Sequence, residues 1–401
     1  MYKGIPVTQD TLWVGVNDYE TDLFESLWGL PQGVAYNAYV VLGEKTAAID
    51  TVKGPWFDEY VGKVRDALGG RPLDYLVINH MEPDHAGIIA HMRELYPGLK
   101  LIGNAKTLPL LKGYHGIEDG VVQVKDGESL DLGGHVLNFY PIPMVHWPES
   151  MTTFDSTTKT LFSNDAFGGY GAHEGALFDD EKSRERWEGE MLRYYATIVA
   201  RYSGMVQTAL KKLSSLEIEN IFPAHGTLFR HDVKQVVDLY DRWSRHETEC
   251  GVVVAYGSMY GNTRRMAEAV CRGIAEGGVK NVHLYDSARS EMSLILRDIW
   301  RYRGMVLLGC TYNTTLFPPL DALCGKLVNR MPKNHFLGIA GSYSWSKGAL
   351  DALRAFADTI KLEKVGPEVE VYTSPTDADL EQCAELGRNM ARAIGACPVK
   401  R

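Results

Sequence analysis

Cysteine is scarce in this sequence and confined to one end of it. The 401 residues hold six, Cys250, Cys271, Cys310, Cys324, Cys383 and Cys397, none of them in a C-x-x-C pair. That spacing predicts no zinc ribbon, no thiolate-held iron–sulfur cluster and no disulfide framework. Any metal bound by the first part of the chain must therefore be held by histidine and carboxylate. Basic residues are in the minority, 42 Lys and Arg against 51 Asp and Glu, for a formal net charge of −9. With no evident basic cluster to neutralise phosphates, a nucleic-acid partner is excluded. No apolar run is long enough to span a bilayer, and residues 1–16 lack the basic stretch and apolar core of a secretory signal. A cytoplasmic protein with no membrane partner is expected.

What is present is an ordinary globular composition, 45% hydrophobic and 23% charged, in a chain longer than one core usually grows. Two textures divide it. From Trp13 to about His246 short strand-like runs alternate with turns, among them 38–42, 46–50, 75–79, 100–103, 135–140, 152–155 and 218–223. Helical periodicity covers 56–68, 184–213 and 231–245. Strands with helices outside them predict an αββα sandwich over residues 1–249. From residue 250 to 401, buried strands at 251–256, 282–285, 305–309, 336–340 and 369–372 alternate with amphipathic helices, which predicts a doubly wound parallel sheet. The fold class is α/β throughout.

The strand 75–79 runs directly into His80-Met81-Glu82-Pro83-Asp84-His85. Two histidines, a Glu and an Asp in one tight turn at the end of a buried strand call for a polyvalent cation to offset their desolvation. Downstream, His146, Asp165 and His225 stand in similar settings: Pro143-Met144-Val145-His146-Trp147, Phe162-Ser163-Asn164-Asp165 and Phe222-Pro223-Ala224-His225-Gly226. Taken singly, His225 is as readily a packing residue, Asp165 a turn cap and His146 half of a core pair with Trp147. The remaining histidines, His91, His115, His135, His173, His231, His246, His283 and His335, lack such company and are read as surface or helix-end residues.

The run resembles the H-x-H-x-D-H turn of the metallo-β-lactamase fold, with Glu82 in place of its second histidine. More carboxylate oxygen favours iron over zinc, and that departure is the one flavodiiron proteins show. The resemblance implies that His80, Glu82 and His146 hold one iron and Asp84, His85 and His225 the other, with Asp165 bridging. In some members the residue matching His85 turns away from the metal. Trp147, assigned a catalytic place by the same resemblance, either lines the diatomic pocket or packs beneath it.

The second half opens with the strand Val252-Val253-Val254-Ala255-Tyr256 and the loop Gly257-Ser258-Met259-Tyr260-Gly261-Asn262-Thr263, then a helix. Hydroxyls and free amides at a helix N-terminus suit a phosphate. The loop has neither a Gly-Lys-Ser/Thr ending nor the G-x-G-x-x-G pattern, which disfavours triphosphate hydrolysis and NAD. Thr311-Tyr312-Asn313-Thr314 and Gly341-Ser342-Tyr343-Ser344-Trp345-Ser346 fall at two further strand ends. The three loops resemble those of flavodoxin and imply FMN. Ser258, Tyr260, Asn262 and Thr263, with Met259 and Gly261 between them, would hold its phosphate. Thr311, Tyr312, Asn313 and Trp345 would contact or flank its ring, alongside Ser342, Tyr343 and Ser344.

The resemblance to flavodiiron proteins spans nearly the whole chain, in the expected order. It implies FMN and two irons as cofactors, O2 or NO as substrate, and a head-to-tail homodimer or dimer of dimers in which each flavin faces the partner's irons. Because no rubredoxin-like segment follows residue 396, a separate rubredoxin-like electron donor is expected. Two rival readings make different demands: a zinc hydrolase would bind zinc and cleave lactams or thioesters, and a plain electron carrier would cycle its flavin without turning over either gas.

Overall fold

In the first half, residues that alternate in and out along short strands build two sheets packed face to face. The computed structural model describes residues 2–395, and the chain divides into two units, Met1–Ser244 and Arg245–Arg401. The first sheet of the first unit runs Ile5–Pro6, Thr11–Trp13, Tyr39–Leu42, Thr46–Ile49, Tyr75–Val77, Lys100–Gly103, Val121–Gln123. Its pairing is parallel from Thr46–Ile49 onward. The second sheet, Ser129–Asp131, Val136–Pro141, Met151–Asp155, Thr160–Asn164, Asn220–Pro223, is antiparallel until its last pair, which is parallel and shifts register between Phe162 and Asn164. Between them lies one cluster, with Tyr39, Ile49, Val77 and Ile102 from the first sheet and Leu137, Phe139, Met151, Phe162 and Phe222 from the second. Each such side chain stabilises the fold by roughly 1.5–3 kcal/mol relative to exposure.

Helices cover this core as the periodicity at 56–68 requires. Helix Phe57–Leu68 buries Tyr60, Val61, Val64, Ala67 and Leu68 on one face and ends at Gly69, whose φ of 57° suits glycine. The single helix expected over 184–213 is instead broken. Helix Arg184–Tyr194 passes into a π turn, Tyr195–Val199, then a 3-10 turn, Ala200–Tyr202, before helix Ser203–Leu213. The β-branched run Thr197-Ile198-Val199 fits an α-helix poorly, and the Thr197 hydroxyl donates back to the carbonyls of Arg193 and Tyr194. Apolar spacing alone does not register either effect.

The second unit is a parallel sheet ordered Val282–Asp286, Glu249–Gly257, Tyr302–Tyr312, Phe336–Tyr343, with Val369–Tyr372 and Glu363–Lys364 both pairing beside the last. Helices Asn262–Glu276 and Asp377–Ile394 pack together over it, their buried faces meeting Val254, Val306 and Ala340. The sequence is thus a doubly wound sheet whose strand ends carry the three loops singled out above.

Three histidines read as surface residues are buried: His135, His173 and His335. Their polar atoms are spoken for within the protein, His135 by Asp155 at 2.7 Å, His173 by Asn37 at 2.7 Å and His335 by the Ile299 carbonyl at 2.7 Å. One cysteine also departs from expectation, since Cys250 is disulfide-bonded. A spacing argument detects only neighbouring pairs. Cys271, Cys310, Cys324 and Cys383 are free thiols, and Cys397 lies outside the described residues. Among the described residues no helix is long and apolar enough to cross a membrane.

Candidate metal centre and flavin edge

Strand Tyr75–Val77 ends three residues before His80, and Pro83 starts a one-turn helix, Pro83–Ala86, with Glu82 extended ahead of it. This turn aims its four polar side chains at two neighbouring points. Around one, the ligand atoms of His80, Glu82, His146 and Asp165 lie within 4.8 Å of one another, and around the other those of Asp84, His85 and His225 do the same. His146 Nε2 lies 3.1 Å from Glu82 Oε2 and 3.0 Å from Asp165 Oδ2, and His80 Nε2 lies 3.4 Å from that same oxygen. The other carboxylate oxygen, Asp165 Oδ1, lies 3.1 Å from His85 Nε2 and 3.5 Å from His225 Nε2. His225 Nε2 is also 3.3 Å from Asp84 Oδ2. Asp165 therefore presents one oxygen to each group. His85 faces inward, its Nε2 3.0 Å from that of His225.

These groups are buried: His80, His85, His225 and Asp165 are at most 1% exposed. Asp165 Oδ1 and Oδ2, His146 Nε2 and Asp84 Oδ1 nonetheless have no hydrogen-bond partner of acceptable geometry, although His146 and Asp165 approach to 3.0 Å. Burial alone would lower the histidines and raise the acids, but mutual attraction wins. Asp165, Glu149 and Glu82 push His80 up to about 10, Asp165 and Glu82 push His146 up to about 10, and Asp84 and Asp165 push His85 up to about 9. Glu82 is drawn down to about 2 by His146 and His80, and Asp165 falls well below the usual carboxylate range against His85, His146 and His80. So much buried negative charge is balanced either by protons on the imidazoles or by metal cations. Orphaned, converging nitrogen and oxygen atoms fit the second role, and the mix of three carboxylates with four imidazoles suits iron.

Residues that sequence reading did not single out fix these candidate ligands in place. Glu149, 1% exposed, accepts from His80 Nδ1 at 2.8 Å and from the Met81 amide at 3.0 Å. His225 Nδ1 donates to the Ala35 carbonyl at 2.9 Å. In both histidines the bond fixes the tautomer and leaves Nε2 bare toward the centre. Asp50, also buried, joins the residues that precede two ligands: its carboxylate accepts from the Asn79 amide at 2.7 Å, from Asn79 Nδ2 at 3.2 Å and from Asn164 Nδ2 at 3.2 Å. Asn164 in turn takes the Asp165 amide on its side-chain oxygen and the Ala224 amide on its carbonyl, both at 2.8 Å. Only the position of Asn79, Asn164 and Ala224 immediately before His80, Asp165 and His225 signals this in the sequence.

Over the centre lies a hairpin, strands Leu23–Phe24 and Trp28–Gly29. Its turn holds Glu25 and Ser26 at φ of 49° and 56°. Phe24 meets the His225 ring edge to face at 5.1 Å. Glu25 lines a cavity of about 220 Å³ with Thr21, Tyr36, Lys53, Glu82 and Asp84. Burial, then the neighbouring Glu82, push its carboxyl up to about 7. Phe24 and Glu25 thus bring this hairpin to the edge of the candidate metal centre. Trp28 is core, whereas Trp147 sets its ring perpendicular to His80 at 5.1 Å.

In the second unit Gly261, at φ 95°, turns the chain into helix Asn262–Glu276, which has no side-chain N-cap. Ser258 Oγ accepts the Gly261 amide at 3.0 Å, and the Thr263 and Ser342 hydroxyls meet at 3.0 Å, joining the first loop to the third. An uncapped helix start ringed by hydroxyls suits a phosphate. Tyr260 is 91% exposed, Trp345 78% and Tyr312 42%, a degree of exposure that suits rings flanking a flat heterocycle and not core residues. Strand Tyr302–Tyr312 extends through Thr311 and Tyr312 and pairs back on Thr315–Leu316, so the middle loop is a tight hairpin at Asn313 and Thr314.

Comparison with known proteins agrees with both halves. Residues 34–226 match the family described as ODP family beta lactamase, and 254–387 match flavodoxin. A nitric oxide reductase of Moorella thermoacetica is 32% identical over 98% of this chain and 100% of its own length. The chain belongs to the flavodiiron protein family. An anaerobic nitric oxide reductase flavorubredoxin of Escherichia coli is also 32% identical, over 98% of this chain and 83% of the relative. Among solved structures, rubredoxin oxygen:oxidoreductase from the anaerobe Desulfovibrio gigas superposes with a TM-score of 0.94 at 29% identity, and the flavodiiron protein of Giardia intestinalis with 0.93 at 27%. These cover 98% of this chain and 98% and 97% of theirs. As a flavodiiron protein the chain is an oxidoreductase with FMN and a pair of irons as cofactors.

Proposed function

We propose that this flavodiiron protein reduces dioxygen to water, nitric oxide to nitrous oxide, or both, with electrons passed through FMN from a separate rubredoxin-like donor. The observation that carries the reading is Asp165, whose two oxygens each face one of two ligand groups. When bound, two irons and a reduced flavin would supply the four electrons that take dioxygen to two waters or the two that couple two nitric oxides. In this reading His80, Glu82 and His146 would hold one iron and Asp84, His85 and His225 the other, with Asp165 shared between them.

The chain's own residues have three tasks. Glu149 and the Ala35 carbonyl keep bare Nε2 atoms of His80 and His225 aimed at the centre. Phe24, Tyr36 and Tyr194, all packed against His225, keep bulk water from that side, which favours a small apolar gas over larger substrates. Ser258, Met259, Tyr260, Gly261, Asn262 and Thr263 hold the flavin phosphate, and Thr311, Tyr312, Asn313, Ser342, Tyr343, Ser344 and Trp345 surround the ring. Trp147, edge-on to His80, borders the gas pocket. In this reading residues 1–249 carry the irons and residues 250–401 the flavin. Electron transfer is between copies of the chain, in a head-to-tail homodimer or a dimer of dimers.

The test is metal and flavin analysis followed by anaerobic reduction and rapid mixing with O2 or NO. The reading expects about two irons and one FMN per chain and fast reoxidation by at least one gas. An Asp165→Ala protein should lose iron and turnover while staying yellow. Stoichiometric zinc, or a reduced protein inert to both gases, contradicts it.

A further inference from the structure

The loop that carries His225 has four consecutive carbonyl oxygens held by hydrogen bonds, three of them by Asn37. The Asn37 backbone amide donates to Ala224 at 2.6 Å, and its side-chain nitrogen donates to Pro223 at 2.9 Å and to Gly226 at 3.0 Å. The Tyr39 hydroxyl shares the Pro223 carbonyl at 2.9 Å. The fourth carbonyl, that of His225 itself, takes the Gly169 amide at 3.2 Å. Asn37 directly follows strand Val34–Tyr36, whose Ala35 carbonyl accepts from His225 Nδ1 at 2.9 Å. Residues 35–37 thus hold both the imidazole and the backbone on either side of it.

The chemistry of its neighbours fixes which way the Asn37 amide points. The Trp13 indole N–H can only donate, and it meets the Asn37 side chain at 2.8 Å. The atom facing it is therefore the oxygen, which leaves the nitrogen for the two carbonyls. His173 Nε2 lies 2.7 Å from the same oxygen, so it carries the ring proton and leaves Nδ1 to accept from Lys182 at 3.2 Å. Turned over, the amide would set its N–H groups against the indole N–H and its oxygen against two carbonyls. Asn37, His173 and His225 are each at most 1% exposed, so water cannot answer for a lost partner. Among the described residues, none of Trp13, Asn37 and His173 hydrogen-bonds to His80, Glu82 or His146; Glu149 holds His80 separately.

We propose, resting on the reading of His225 as an iron ligand, that Asn37 is a positioning residue for one half of the metal centre, that of Asp84, His85 and His225, and that His173 keeps its amide correctly turned. By fixing the backbone at 223, 224 and 226, Asn37 sets where His225 Nε2 points, 3.0 Å from its counterpart in His85 and 3.3 Å from Asp84 Oδ2. Partners that orient a ligand in this way are worth roughly 10–100-fold in metal affinity. Because His80 has its own anchor, loss of Asn37 weakens one half of the centre and spares the other.

The experiment is a chelator challenge of the iron- and flavin-loaded protein, with iron counted per chain and Mössbauer spectra taken of what remains. Asn37→Asp is isosteric and keeps the acceptor for Trp13 and His173 but loses both side-chain donors. One of its irons should be held roughly 10–100-fold more weakly than in the unaltered protein, the other should stay, and the residual spectrum should match that of His225→Ala. Unchanged retention of both irons in Asn37→Asp, or loss of both alike as general destabilisation would give, overturns the proposal. A His225→Ala protein that keeps both irons overturns the ligand assignment, and the proposal with it. Should Asn37→Asp not fold, two changes at His173 decide: His173→Gln still offers an N–H to Asn37 Oδ1 and should hold both irons, whereas His173→Leu should release the iron that His225→Ala releases. Equal iron retention by that pair overturns the proposal.

Discussion

Glu149 grips His80 by the ring nitrogen that points away from the metal centre, Oε1 to Nδ1 at 2.8 Å, in surroundings that exclude water from both. The bond orients the imidazole and makes its other nitrogen a better donor to a cation. Glu149→Ala should lower iron affinity by roughly 10–100-fold, read as iron lost to a chelator over time. Glu149→Gln retains an acceptor for the Nδ1 proton and should recover most of that loss. Equal iron retention by all three proteins would show that the contact is mere packing.

Asp50 is the knot between the strand that leads to His80 and the strand that leads to Asp165. Removing its carboxylate strands the Asn79 amide and two side-chain amides in the interior, each at a cost of about 1–3 kcal/mol. Asp50→Ala should therefore unfold at clearly lower urea concentration even without iron. It should also bind iron more weakly, because two ligand loops lose their common anchor. A variant that matches the unaltered protein in urea would show that neighbouring bonds suffice.

Trp345 stands out of the flavin edge, 78% exposed. Stacking on a flat ring is worth about 0.5–1.5 kcal/mol beyond area, so Trp345→Ala should weaken FMN binding by roughly 3- to 10-fold or more. Fluorescence of released flavin measures this, and iron content should stay unchanged. If flavin affinity is unaffected, the ring lies elsewhere.

His246 offers a stability test away from the metal centre. Burial, then Lys333 and His335, depress its imidazole to about 4, below its ordinary value near 6.5. The unfolded chain thus takes up this proton before the folded one does. The contribution is fully present above about pH 6.5 and is lost as pH falls from there toward about 4. His246→Phe should flatten the acid side of a stability-versus-pH curve in that window. An unchanged slope, or an NMR midpoint for His246 near 6.5, would contradict the shift.

The candidate ligands are legible because His80, Glu82, Asp84 and His85 share one turn, so their chemistry is a local pattern. The residues that hold them are not. Glu149 and His80 are 69 positions apart and Asp50 and Asn164 are 114 apart, and such pairs arise only once strands have paired. Strand alternation conveyed both sheets of the first unit and the parallel sheet of the second, since burial on one face or two writes directly into the sequence. It could not convey the break at Tyr195–Val199, where Thr197 competes for backbone carbonyls. Nor could it convey the burial of His173, whose partners Asn37 and Lys182 lie far along the chain on one side and nearby on the other.

The register shift between Phe162 and Asn164 has a consequence for how this chain can change in length. Side chains of a strand alternate sides, so adding or deleting one residue between Thr160 and Asn164 would turn Asp165 to the opposite face and take both its oxygens from the centre. Insertions at the Gly116–Gly120 turn, remote from every ligand in sequence, carry no such penalty. Length variation among functional descendants of this sequence should therefore accumulate at the second place and be purged from the first.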